Sequence, residues 1–178
     1  MRIISGKHKG IRIIAPKKLP VRPTTDMAKE ALFNILNNDY YFNDIAVLDL
    51  FSGIGSISLE FASRGTKDIT SVDTHRACSN FLSSTAEKYE LDLNVLNTDV
   101  YRFLERQNRE YDVVFADPPY SFEQEKFDKI VSLIFERNLL SNDGILIIEH
   151  GNKTDLSHLQ NFVRERKYGG NKFSFFQQ

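Results

Sequence analysis

The chain has 178 residues, a length typical of one domain that can bury a core of two or three layers. Its hydrophobic content of 41% and its net charge of −1 exclude a disordered chain, and no apolar run is long enough to cross a bilayer. The N-terminus lacks a secretory signal, and Cys78 is the single cysteine, which excludes an intrachain disulfide. We therefore expect a cytoplasmic protein, a monomer with no membrane partner.

Charge is distributed unevenly along the chain. Residues 1–25 hold seven basic side chains and no acidic one, whereas the other 153 residues carry 16 basic and 24 acidic side chains. A basic segment on an acidic body is typical of a part that contacts phosphate groups. The alternative is a solvated charged surface. The candidate contacts are Lys7, Lys9, Arg12, Lys17, Lys18 and Arg22.

The N-terminal arm is predicted to begin as a β-hairpin. Two short β-branched strands, residues 2–5 and 11–15, flank a turn bounded by Gly6 and Gly10. Prolines then keep the chain extended, and Thr24 or Thr25 can cap a helix that runs to about Leu36. We divide the chain into an arm, residues 1–25, and a main domain, residues 26–178.

The main domain alternates short apolar runs with longer amphipathic stretches. The runs are residues 46–51, 69–73, 93–96, 112–116 and 145–149, and a sixth strand is predicted at 172–176 after a Gly169-Gly170 turn. Strands that are apolar on both faces and separated by helices indicate a parallel sheet covered on each side. The prediction is a doubly wound α/β domain with a mostly parallel sheet.

Candidate ligand-binding residues follow the first predicted strand, which ends at Phe51. Gly53 and Gly55 allow a tight strand-to-helix turn and a close backbone approach to a nucleoside. Asp73 closes the next strand, 20 residues after Gly53, where a carboxylate can accept both hydroxyls of a ribose.

Two differences distinguish this pattern from a dinucleotide site. Ser58 replaces the third glycine that packs a helix near a pyrophosphate, and Asp49 precedes the glycines, where it suits a cationic amino-acid group. S-adenosylmethionine has such a group and no phosphate, so it fits better than NAD. Asp99, after the third strand, can then bind the adenine amino group. A helix cap or a turn carboxylate is the alternative for Asp49 and Asp99.

The most specific motif is Asp117-Pro118-Pro119-Tyr120, directly after a predicted central strand. Ligands of open α/β sheets bind at this end of the strands, and two prolines fix the backbone there. Asp117 and a rigid carbonyl, such as that of Pro118, can each accept one N–H of an aryl amine, while Tyr120 stacks on its ring. Such alignment needs no metal, and we predict none.

The chain resembles the bacterial 16S ribosomal RNA guanine-N2 methyltransferases, of the small-subunit type that modifies guanine 966. The matching segments are residues 1–6, 22–26, 30–33, 48–55, 63–65, 117–120, 149–150 and 168–170. The resemblance implies the class I S-adenosylmethionine-dependent fold, guanine N2 as acceptor, and 16S rRNA in an assembling small subunit as partner. Ser58, Asp73 and Thr85 depart from residues that are usual in the family.

Three other functions compete with this hypothesis. Asp-Pro-Pro-Tyr also suits methylation of adenine N6 in DNA or of a protein amide nitrogen. A non-catalytic RNA-binding assembly factor could retain the same pocket, although the intact Asp73 and Asp117 argue against decay. A dinucleotide-dependent oxidoreductase is disfavoured by Ser58 and Asp49.

Overall fold

The protein, represented by a computed structural model, is described for residues 1–16, 18–19, 24–119 and 121–178. The helices are α1 (Asp26–Asp39), α2 (Ser56–Ser63), α3 (Arg76–Lys88), α4 (Val100–Leu104) and α5 (Gln124–Glu136), with a short 3-10 helix at Phe42–Asp44. The strands are β1 (Ala46–Leu50), β2 (Asp68–Asp73), β3 (Asn94–Asn97), β4 (Tyr111–Ala116), β5 (Leu140–Gly151), β6 (Phe162–Tyr168) and β7 (Asn171–Phe176).

The strands form one sheet in the order β3-β2-β1-β4-β5-β7-β6. The strands β1 to β5 pair in parallel, and β7 runs antiparallel to both of its neighbours. In the centre, Leu50 of β1 pairs with Ala116 of β4, which pairs with Ile148 of β5. The residues that follow these three positions therefore meet at one edge of the sheet.

Both faces of the sheet are buried under helices. Val47 and Phe115 pack with Leu32 of α1 and Phe61 of α2 on one face. On the other face, residues of the same central strands pack against α4 and α5 in a second apolar cluster. This double coverage explains the apolar strands and agrees with the predicted fold class.

The predicted start of the first helix is confirmed, because the Thr25 hydroxyl accepts a hydrogen bond of 3.2 Å from the Ala28 amide. The predicted end is too early, since α1 continues to Asp39. The first strand stops at Leu50 rather than at Phe51, because Phe51 adopts a left-handed φ of +59°.

Two strand predictions need a larger correction. The fifth strand begins five residues earlier than expected, at Leu140, and β6 was not predicted at all. Most side chains of β6 are exposed at the edge of the sheet, and Arg164, Glu165, Arg166 and Lys167 give it no apolar alternation. Charged edge strands of this kind resist pairing with other chains, and they lack the pattern that marks buried strands.

The N-terminal hairpin is smaller than predicted, with one isolated antiparallel bridge between Arg2 and Arg12 in place of two strands. Backbone pairing ends at Ile3, whose amide donates to Ile11 O and whose carbonyl accepts from the Gly10 amide, and the amides of Ile4 and Ser5 donate instead to the Glu60 carboxylate of α2 at 2.8 and 3.0 Å. Buried Ile3 and Ile13 pack against Leu59 and Leu82 of the main domain. The hairpin is thus seated on α2 by a buried carboxylate and an apolar cluster.

None of the described helices combines the length and the apolar character needed to span a membrane.

Candidate active site

A cavity of about 430 Å³ opens at the carboxyl ends of the central strands. Its size lies within the usual range for small-molecule sites. Seven of the residues proposed from the sequence for a methyl donor or acceptor line it. They are Asp49, Phe51, Gly53, Asp73, Asp99, Asp117 and Pro118. The whole lining runs from Thr24 to Pro119, so residues up to 95 positions apart along the chain lie around one space.

The turn from β1 to α2 forms one wall of this cavity. Phe51 and Gly53 both have positive φ angles, +59° and +53°, which turn the backbone sharply toward the helix. Gly55, with φ of +78°, precedes the helix and does not line the cavity. A Cβ atom there would lie 2.2 Å from Leu82 Cδ1, so Gly55 serves the turn and its packing.

Asp73 accepts two backbone hydrogen bonds, one from this turn and one from the turn that follows β2. Its Oδ2 accepts from the Gly53 amide at 2.8 Å, and its Oδ1 accepts from the His75 amide at 2.7 Å. Each carboxylate oxygen keeps a second lone pair for a ligand. The carboxylate is therefore oriented at the cavity wall with acceptor capacity remaining.

Asp49 is buried and interacts with α2. Its Oδ2 accepts hydrogen bonds from the Ser58 amide, at 3.1 Å, and from the Ser58 hydroxyl. Burial raises the pKa of Asp49 to about 7, although the two bonds from Ser58 lower it. Asp99 lines the cavity and is also a helix cap, which is the alternative role considered for it from the sequence. It caps α4 by accepting a hydrogen bond from the Arg102 amide at 2.9 Å.

Asp117 and Pro118 form the opposite wall, after β4. Burial raises the pKa of Asp117 well above its ordinary value, and the charges of Glu149 and Asp49 raise it further. No described residue donates a hydrogen bond to the Asp117 carboxyl group, whose backbone amide bonds Leu50 O at 3.4 Å. Tyr120, the predicted stacking residue, lies outside the described residues.

Sequence reasoning missed several residues of this site. The Ser52 hydroxyl is buried at the cavity without a hydrogen-bond partner in the described part of the chain. Thr24 lines the cavity and donates to the buried Glu149 carboxylate at 3.2 Å. Cys78 also lines the cavity, from the first turn of α3. Its position five residues after Asp73 was the available signal, because α3 begins at the end of β2.

The bases of the N-terminal hairpin lie on a different part of the surface. Lys7, Lys9, Arg12 and Lys18 are exposed, and none of them pairs with an acidic side chain of the described residues. Lys17 and Arg22 fall outside the described residues. The amide of Lys7 bonds Ser63 O at the C-terminal end of α2, whereas the cavity lies at the opposite end of that helix. Eight helical residues separate the two ends by about 12 Å.

The strand order and the cavity at the carboxyl ends of β1, β2 and β4 define a class I S-adenosylmethionine-dependent methyltransferase fold. A family model described as Conserved hypothetical protein 95 matches residues 1–177. The chain belongs to this family.

Curated and solved proteins agree with the family assignment. The Ribosomal RNA small subunit methyltransferase D of Buchnera aphidicola (subspecies Baizongia pistaciae) is 31% identical over 85% of this chain and 76% of its own length. A solved Escherichia coli structure covers 100% of this chain and 97% of its own, with 26% identity and a TM-score of 0.87.

A more distant structure shares the fold alone. It is the Thermus thermophilus 16S rRNA N2 G1207 methyltransferase, in complex with AdoMet and guanosine. It has 19% identity and a TM-score of 0.71, with 90% of this chain and 45% of the other covered.

Proposed function

We propose that this protein transfers a methyl group from S-adenosylmethionine to the exocyclic N2 of a guanine in 16S rRNA of the small ribosomal subunit. The observation that carries the proposal is the cavity that joins the Asp73 turn to Asp117 and Pro118. Membership in a family with small-subunit rRNA methyltransferases supports the RNA substrate.

The methyl donor fits the wall of the cavity that is formed by the β1–α2 turn and Asp73. We assign Asp73 to the ribose hydroxyls and Asp99, which also lines the cavity, to the adenine amino group. The Asp49 carboxylate suits the α-ammonium group of the donor. The Ser52 hydroxyl, which has no partner among the residues that the structure describes, offers a further polar contact. These groups match the adenosine and amino-acid parts of S-adenosylmethionine, which supplies an electrophilic methyl group when bound.

The acceptor fits the opposite wall. A guanine amino group is a weak nucleophile because its lone pair is delocalised into the ring, so alignment is the main catalytic need. We assign one N–H to the Asp117 carboxylate and the other to the Pro118 carbonyl, which turns the nitrogen lone pair toward the methyl group. Asp117 then receives the proton that the nitrogen loses once it holds the methyl group.

Asp117 is suited to this step by its surroundings. Its carboxyl group has no hydrogen-bond donor among the described residues, and burial followed by the neighbouring carboxylates raises its pKa. A carboxylate of raised pKa is a stronger proton acceptor than an exposed one. Its hydrogen-bond capacity is therefore left for the substrate.

The substrate RNA is held outside the cavity by the N-terminal arm, with Lys7, Lys9, Arg12 and Lys18 neutralising phosphates. We place Lys17, Arg22 and a stacking Tyr120 in the same complex on sequence grounds. An assembling small subunit is the proposed form of the substrate, and the protein acts as a monomer.

The test is to incubate the protein with labelled donor and, separately, free 16S rRNA, small subunits that lack the modification, and duplex DNA. Digestion and chromatography then identify the methylated nucleoside. N2-methylguanosine from RNA or subunits is expected. N6-methyladenosine, or label in protein or DNA, would replace the proposal with one of the competing methyltransferase functions, and no transfer at all would favour the assembly factor.

A further inference from the structure

Two buried serines form a chain of hydrogen bonds to the carboxylate of Asp49, the residue that we assign to the ammonium group of the methyl donor. Ser58 of α2 is fully buried, as is Ser71 of β2, and Asp49 is 2% exposed. The amide and the hydroxyl of Ser58 both donate to Oδ2 of Asp49, and the hydroxyl oxygens of Ser58 and Ser71 lie 2.7 Å apart.

The direction of these hydrogen bonds follows from counting protons. A serine hydroxyl has one proton, so Ser58, which gives its proton to Asp49, must accept from Ser71. The order of donation is therefore Ser71 to Ser58 to Asp49. The second carboxylate oxygen of Asp49, Oδ1, has no donor among the described residues, and Asp49 lines the cavity.

We propose that Ser58, supported by Ser71, is a positioning residue that directs Asp49 toward the α-ammonium group of the methyl donor. Ser58 occupies the position at which dinucleotide sites need glycine for close packing of the helix against the strand. Here the Ser58 side chain fills that space and donates a hydrogen bond to the Asp49 carboxylate. The inference rests on the proposed donor and deepens it by naming what orients its amino-acid end.

The charges around Asp49 explain why the hydrogen bonds from Ser58 are needed. The carboxylates that face it are Asp73 of β2 and Asp117 after β4. Burial, and then the charge of Asp73, raise the pKa of Asp49, and the charge of Asp49 in turn raises the pKa of Asp117. The charged residues of α1 and α2 nearby, Lys29 and Glu60, pair with each other in a buried ion pair. Ser58 therefore supplies the hydrogen bonds that favour the ionised form of Asp49, which is the form that attracts a cation.

The test uses Ser58→Ala in the full chain, with calorimetric titration of S-adenosylhomocysteine between pH 6 and pH 8.5. Loss of the hydroxyl removes a bond that lowers the pKa of Asp49, so the ionised fraction falls near neutral pH. A rise of one pKa unit from about 7 weakens binding roughly 9-fold at pH 6 and roughly 5-fold at pH 7, and the loss disappears toward high pH. The ligand's own titration is common to both proteins and cancels in the ratio of affinities.

Two further variants separate positioning from a general structural role. Ser71→Ala removes the outer hydroxyl alone, and we expect a smaller loss with the same pH dependence. Ser79→Ala removes another buried hydroxyl, one that bonds backbone oxygens at 3.4 and 3.5 Å, and should leave affinity unchanged. Ser71→Ala carries the test if Ser58→Ala does not fold.

The outcomes are distinct. The affinity of the unaltered protein for S-adenosylhomocysteine is divided by that of each variant. If this ratio stays constant with pH, or equals one for both Ser58→Ala and Ser71→Ala, the role of Ser58 is overturned and the proposed function still stands. If the unaltered protein binds neither S-adenosylmethionine nor S-adenosylhomocysteine at any pH, the proposed donor fails and this inference fails with it.

Discussion

The carboxyl groups on the two walls of the cavity differ in the hydrogen bonds that they accept. On the donor-side wall, formed by Asp49, Gly53 and Asp73, each carboxylate accepts two hydrogen bonds from nearby protein groups. On the acceptor-side wall, formed by Asp117 and Pro118, the carboxyl group accepts none from the described residues and faces other acids.

The difference indicates a division of labour. Carboxylates held by hydrogen bonds keep one orientation and can recognise a ligand without rearranging. A buried carboxyl group without donors is costly to keep ionised, so it gains most from a substrate that donates to it. We therefore expect changes on the donor-side wall to alter affinity, and changes at Asp117 to alter the rate.

The largest expected effect is that of Asp117→Ala on methyl transfer. Removing a preorganised hydrogen-bonding group at a reacting centre costs roughly 10²–10³-fold in rate, whereas donor affinity should stay within about 3-fold. Single-turnover transfer of labelled methyl to the RNA substrate measures the rate, and calorimetry measures the affinity. Asp92→Ala, at an exposed carboxylate before β3, is the matched control. A near-normal rate in Asp117→Ala would end the division of labour between the walls.

The pH profile of transfer sharpens the same contrast. Because burial and the neighbouring acids raise the pKa of Asp117, its ionised form is lost as pH falls through that raised value. The single-turnover rate should drop about tenfold per pH unit on the acid side of this pKa. Asp117→Asn, which cannot titrate, should be slow and lack this limb. If its profile keeps the same limb, another group controls the reaction.

On the donor-side wall, Asp73→Ala should weaken binding of S-adenosylhomocysteine by roughly 10-fold to 100-fold. The reason is that a net loss of one hydrogen bond to a charged group costs about 1.5–3 kcal/mol, and the variant also frees the amides of Gly53 and His75. Calorimetry is the measurement, with a thermal unfolding curve to verify the fold. Saturating donor should restore most of the rate. Unchanged affinity would remove Asp73 from the site.

The smallest effect should come from the bases of the N-terminal hairpin, because Lys7 lies at the end of α2 opposite to the cavity. Replacing Lys7, Lys9 and Arg12 together by alanine should weaken RNA binding and flatten its salt dependence, by a logarithmic slope of about 0.7–0.9 for each phosphate that is no longer neutralised. Donor affinity should not change. Three exposed bases elsewhere, Lys67, Arg106 and Lys153, provide the control triple. Equal RNA affinity and salt slope in the arm variant would make the hairpin a solvated appendage.

Local patterns were sufficient for much of the fold. The apolar runs predicted every parallel strand of the sheet, and the predicted family is confirmed. Two failures concern strands. The internal strand β5 begins five residues earlier than predicted, and β6 was missed because an edge strand needs no apolar pattern when most of its side chains face solvent. The hairpin is a third failure, because its amides bond Glu60, which lies 55 residues or more away and leaves no local sign.

The sequence by itself determined the class of fold, the family, and the residues proposed for donor and acceptor, whose roles stay predictions. It did so because turns and strand ends depend on neighbouring residues. Only the tertiary structure decided how the site's polar groups are satisfied. It brought Thr24 to Glu149, set Ser71 behind Ser58, and left the Ser52 hydroxyl without a partner in the described part of the chain. Such contacts depend on strand order and burial, which place distant residues together and make each unpaired polar group costly.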